Sequence, residues 1–165
     1  MMTKLSLLTI SLTALLFASC AREYEVDCID PQIETAFINY AKPDIDTFIL
    51  RKFKAADNYQ TLLDSFTVAY GWAGYYTTLH DTTSIYISGD RGIKAGFDWQ
   101  IFIPALNKTV LVSDIVTEKK TGTCKNGIFS LDKMACGCAN RVYSAKINNQ
   151  VVNFLDASIY TIYIR

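Results

Sequence analysis

The chain has 165 residues, of which 16 are basic and 16 acidic, with half of the residues hydrophobic and only three prolines. Such charge balance creates no long-range field for a polyanion, and no basic stripe is visible, so nucleic acid is excluded as the expected partner. The richness in Tyr, Phe, Ile, Thr and Val favours packed strands over a disordered chain.

The first element is a leader. Lys4 supplies a positive start, an uncharged apolar stretch runs from Leu5 to Phe17, and the small residues Ala18 and Ser19 stand directly before Cys20. That order reads as a secretory signal, too short to remain as a comfortable membrane-spanning helix. The ending Phe-Ala-Ser-Cys at 17–20 resembles the lipobox of bacterial lipoproteins, with Phe17 in place of the family's usual Leu. The resemblance implies cleavage of a signal peptide at residues 1–19, lipidation of the Cys20 sulfur, and a body tethered to the membrane through that anchor. Loss of residues 1–19, which hold one Lys and no acid, leaves 146 residues and a formal charge of −1. That length suits one domain with a real core. Residues 20–30 read as the lipidated Cys and a short polar tether, and residues 31–165 as a single β-sandwich domain.

Phe37 to Tyr40 is a short extended candidate, punctuated by Lys42-Pro43-Asp44. An alternative has Asp30-Pro31 opening a helix through Tyr40, because Asp suits the N-cap and Pro the first helical position. Residues 45–53 carry apolar side chains on both faces and read as a central strand. Asn58 to Asp64 is read as one helical turn capped by Asn58, with Leu62 and Leu63 pointing inward. Ser65 to Tyr70 and Ser84 to Ser88 are further strands. The clearest alternation is Phe97-Asp98-Trp99-Gln100-Ile101-Phe102-Ile103, which puts the odd-numbered residues on one face. Lys108 to Val116 follows with Val110 and Val112 together, and a bulge is expected where Ile115 and Val116 break the period.

A polar, cysteine-bearing excursion occupies Glu118 to Asn140. Arg141 to Ile147 reads as a strand with Tyr143, Ala145 and Ile147 on one side. Asn148-Asn149 is a tight hairpin turn, since Asn tolerates positive φ. Val151 to Phe154 returns, and Ser158 to Ile164 closes with Ile162 and Ile164 opposed to Tyr163. Seven or more short strands without long helices predict an all-β, antiparallel β-sandwich.

Five cysteines is an odd number for an exported protein. Lipidation of Cys20 leaves Cys28, Cys124, Cys136 and Cys138, an even set suited to two disulfides in an oxidising compartment. A bridge between Cys136 and Cys138 would close a strained ring. Cys124 is therefore expected to pair with Cys136 or Cys138, and Cys28 with the other.

Cys-Ile-Asp-Pro at 28–31, Asp-Ile-Asp-Thr at 44–47, Asp-Trp-Gln-Ile at 98–101 and the hairpin at 144–151 resemble Bacteroidota-type β-sandwich lipoproteins. That resemblance implies an immunoglobulin-like sandwich held at the outer membrane, on its periplasmic or surface face, and lends no activity. The acidic leader Glu23, Glu25 and Asp27 resembles the group's surface-export signals, and Asp81-Thr82-Thr83 its O-glycosylation pattern.

Candidate sites follow from residue type. Cys124, Cys136 and Cys138 lack the paired two-residue knuckle of structural zinc, so disulfides are preferred and no metal is assigned. His80 stands beside Asp81, yet no Gly-x-Ser-x-Gly elbow accompanies it. Asp44 and Asp46, two apart in an extended segment, would face one side, but without the Gly and distal Glu of a calcium loop. Trp72, Tyr75 and Tyr76 in Gly71-Trp72-Ala73-Gly74-Tyr75-Tyr76 form a candidate stacking surface for a glycan or an envelope protein, with a structural capping role as the competing reading. The expected function is a non-enzymatic envelope lipoprotein with a binding or structural role and no cofactor. A carbohydrate- or protein-binding module on that aromatic loop is the alternative, and a hydrolase using His80 stands third.

Overall fold

Alternating apolar residues become strands throughout. The computed structural model describes residues 23–69, 76–79, 81–87, 91–125, 138–154 and 160–165. In chain order these form β1 (Glu23–Asp27), β2 (Glu34–Ile38), a one-turn helix α1 (Lys42–Ile45), β3 (Thr47–Lys54), β4 (Leu62–Ala69), β5 (Tyr76–Leu79) and β6 (Thr82–Ile85). They continue with β7 (Phe97–Ile103), a 3₁₀ turn (Pro104–Leu106), β8 (Lys108–Glu118), β9 (Thr121–Lys125), β10 (Arg141–Ile147), β11 (Gln150–Asn153) and β12 (Thr161–Ile164).

The chain divides into two units. The larger spans 30–118 and 140–165. It holds a six-stranded sheet in the order β11-β10-β8-β7-β3-β4 and a four-stranded sheet in the order β12-β2-β6-β5. The described part of the smaller unit comprises 23–29, 119–125 and 138–139, with β1 and β9 paired as an antiparallel ribbon.

The two sheets of the larger unit pack in a sandwich-like arrangement. Phe37, Ile85 and Ile162 from the small sheet join Phe48, Leu50, Trp99, Ile101 and Val110 from the large one in a single buried cluster. The Phe37 and Phe48 rings meet with centroids 5.7 Å apart. Trp99 is fully buried, and its indole N–H donates to the Lys94 carbonyl at 3.0 Å, so its one polar atom is satisfied inside the core. Trp99, Ile101 and Ile103 are buried together, as their alternation predicts. Ile162 and Ile164 likewise point inward while Tyr163 points out.

The all-β class holds, but the pairing is not wholly antiparallel, because β12 runs parallel to β2. Strand direction is set by the connection that returns the chain, not by local pattern, and a parallel neighbour needs a crossover. The helix proposed from Asp30 is absent; β2 occupies Glu34–Ile38 instead. Pro43 helps to open α1, which holds Asp44, while Asp46 caps its end, so these two carboxylates do not share a strand face.

Asn58 does not cap a helix. It lies in the β3–β4 loop at φ 55°, flanked by Ala56 and Tyr59, both at φ 59°. Leu62 and Leu63 are exposed, at 52% and 49%, because β4 is an edge strand. Between β8 and β10 the register slips twice. The extra residue on β10 turns Tyr143 outward and leaves Val142 and Ala145 buried, which corrects the expected shared face of Tyr143, Ala145 and Ile147. The compensating bulge on β8 carries Asp114 at φ 48°, close to the place its broken period suggests.

The Asn148-Asn149 turn forms as expected. Both residues have positive φ, and Ile147 pairs with Gln150 across a two-residue loop.

Candidate functional site

The smaller unit is fastened by a disulfide between Cys28 and Cys138, 110 residues apart in sequence. Register brings the two together. The Cys28 N–H donates to the Lys120 carbonyl, the Ile29 N–H to the Cys138 carbonyl, and Ile29 bridges Ala139 in parallel. Gly122, opposite Val26 in the ribbon, completes the seat. A Cβ there would lie 2.6 Å from the Cys138 sulfur, so only glycine leaves room. A lone Gly inside the strand-like Thr-Gly-Thr-Cys was the signal for such a close approach. Cys124 occupies β9 opposite Tyr24. Cys20 and Cys136 lie outside the described residues.

Of the aromatic candidates, Trp72 and Tyr75 lie outside the described residues, while Tyr76 opens β5 opposite Ile85. His80 also falls outside them. The Asp81 carboxylate accepts from the Thr82 hydroxyl at 3.1 Å, and its carbonyl accepts from the Asn39 N–H at 2.8 Å. Among the described residues no cluster of three or more His, Cys, Asp or Glu side chains has the spacing to hold a metal ion.

The structure assembles another polar site on the outward side of the six-stranded sheet. Asp98 alternates with the core residues Phe97 and Trp99, so it must face away from the sandwich interior. It is nevertheless buried, because the β3–β4 loop folds over it. The Ala56 N–H donates to Asp98 Oδ2 at 3.0 Å. Tyr59 stacks edge-on against Phe53, with ring centroids 5.5 Å apart. Asp57 tightens the same loop by accepting from the Thr61 and Gln60 N–H groups at 3.0 and 3.3 Å.

Burial pushes the Asp98 carboxyl above its usual range; the Ala56 hydrogen bond opposes this, and the charges of Asp114 and Asp57 add to it. Burial likewise raises the Tyr59 phenol, against a hydrogen bond with Ser113. Asp114 itself pairs with Lys146 at 2.8 Å. Asp98 thus holds a backbone amide, and the arrangement pins a loop. Sequence reading passed over Asp98 because a polar residue between two core aromatics looks like an ordinary solvent-facing position.

The neighbouring rows of that face hold Arg51. It stands between Ser65 on β4 and Gln100 on β7. Its Nη1 donates to Gln100 Oε1 at 2.7 Å, and its guanidinium lies 5.4 Å from the centre of the Phe102 ring. Sequence reading took residues 45–53 as a buried central strand and assigned Arg51 no role.

No family model matches the chain, and neither the curated proteins nor the solved structures contain a match.

Proposed function

We propose that the protein is a non-enzymatic lipoprotein of a bacterial envelope, anchored by lipid on Cys20 and presenting its sandwich as a binding or structural surface at the outer membrane. The Cys28–Cys138 disulfide carries this reading. A long-range disulfide fits an oxidising compartment and not the cytosol, in keeping with the export signal at residues 1–19. It also takes two of the five cysteines, leaving Cys124 to pair with Cys136 and Cys20 to take the lipid. Asp98, the one buried carboxylate among the described residues, is committed to the Ala56 amide, which supports a structural role for it. The immunoglobulin-like character of the sandwich belongs to the same proposal, supported by two mainly antiparallel sheets between which the chain crosses repeatedly.

Mass spectrometry of the N-terminal peptide from protein purified out of bacterial envelopes tests the anchor. A peptide beginning at Cys20 and carrying acyl chains is expected. A free thiol at Cys20, or an uncut leader, refutes it.

A further inference from the structure

The guanidinium of Arg51 is oriented by two uncharged side chains. Gln100 and the Phe102 ring hold it on the outward face of the six-stranded sheet, and neither carries a net charge. Among the described residues no carboxylate pairs with it. The acids nearest in register are otherwise engaged. Asp98 holds the Ala56 amide, Asp114 pairs with Lys146, and Asp64 stands opposite Lys52, on the other side of the sheet from Arg51. One N–H of the fork is spent on Gln100, and its other N–H groups, held in place by the amide and the ring, can take an anion.

Its surroundings define what it would recognise. Thr47, Ser65, Thr67 and Thr109 share the face and are exposed. They lie across β4, β3, β7 and β8, a width of about 14 Å at ordinary strand spacing. The backbone groups of β3, β7 and β8, which carry Arg51, Gln100, Phe102 and Thr109, are spent on the ladders, so an extended peptide could add a strand here only at the outer edge of β4 and not at Arg51. Recognition at Arg51 must come from side chains: its fork, the Phe102 ring, the Gln100 amide, a set of hydroxyls, and the half-buried Ile49 and Leu111 of the same face.

We propose that this face binds an acidic polysaccharide. Arg51 takes a uronate carboxylate through its paired N–H groups, Phe102 packs against the apolar face of the sugar ring, and the Thr and Ser hydroxyls meet the sugar hydroxyls. The proposal deepens the reading of the sandwich as a binding surface and is independent of the lipid anchor.

The test is calorimetric titration of the purified full chain with oligogalacturonate, with its methyl ester and with poly-glutamate. Oligogalacturonate is expected to bind, and esterification to weaken it at least about tenfold, the loss expected for one charge-assisted hydrogen-bonded contact. Arg51→Gln and Phe102→Ala are each expected to weaken it to a similar degree. Thr109→Asp, at an exposed position where folding is undisturbed, is expected to do so by repulsion. Lys42→Gln, on α1, serves as a charge control and is expected to leave binding unchanged. Equal binding of poly-glutamate, equal loss in Lys42→Gln, or no binding of oligogalacturonate overturns the proposal. None of these outcomes alters the mass of the Cys20 peptide, so the anchor and the glycan site fail separately.

Discussion

Gly122 sits against Cys138 so closely that a methyl group on it would stand 2.6 Å from the sulfur and 2.8 Å from Cβ, with the Cys28 sulfur 3.7 Å away. The disulfide cannot swing aside, because both of its ends are held by backbone hydrogen bonds at Cys28 and Ile29. Gly122→Ala is therefore expected to destabilise the ribbon by about 1–3 kcal/mol, the usual cost of overpacking. Reduction should cost more, roughly 4–5 kcal/mol in the chain-entropy view of so long a loop. Denaturant unfolding of the oxidised, reduced and Gly122→Ala proteins measures both. Non-reducing peptide maps should recover Cys28 joined to Cys138; Cys28 joined to Cys124 would contradict the structure.

Leu62 and Leu63 face water on an edge strand, whereas Trp99 is sealed between the sheets. Alanine at either leucine is expected to shift stability by less than about 0.5 kcal/mol, as for ordinary surface positions. Trp99→Ala should cost about 3–5 kcal/mol, since it opens a large cavity and strands the Lys94 carbonyl. Chemical denaturation of the three variants decides it, and equal costs would contradict the assignment of β4 to an edge.

Thr35 is buried in β2 between Ile162 and Ile85, and its hydroxyl has no hydrogen-bond partner among the described residues. A buried polar group left unpaired loses its hydration without compensation. Thr35→Val keeps the shape and removes that loss, so it should stabilise the protein by about 1 kcal/mol. A fall in the thermal midpoint would show that the hydroxyl is in fact bonded.

Asp98 makes stability depend on pH with a definite sign. Its carboxyl is raised in the folded protein, chiefly by burial, so the folded state holds the proton more tightly than the unfolded chain. This contribution favours the fold below the unfolded carboxylate range and is lost as pH rises through the folded value. Carbon NMR titration should place the Asp98 carboxyl above the ordinary carboxylate range. Asp98→Asn, which can still accept from the Ala56 N–H, should flatten the stability profile across that window. A profile identical to the parent protein's would remove Asp98 from the account.

Much of this architecture was legible in the residues. The odd-numbered side chains of 97–103 alternate strictly enough to name the core face, and Asn148-Asn149 announces its own turn, because both signals are local and have fixed chemistry. The aliphatic pair Leu62-Leu63 misled, since apolar character says nothing about whether a strand lies at an edge. Tyr143 misled for another reason: one extra residue in a ladder reverses the side of everything after it.

From residues alone came the strand-rich class, the core face of residues 97–103 and the turn at Asn148-Asn149. Tertiary structure alone decided that Cys28 reaches Cys138, that β12 lies parallel to β2, that a loop buries Asp98, and that Arg51 faces a ring and an amide. Period and turn chemistry act over a few residues, whereas register, burial and charge pairing depend on segments brought together from across the chain.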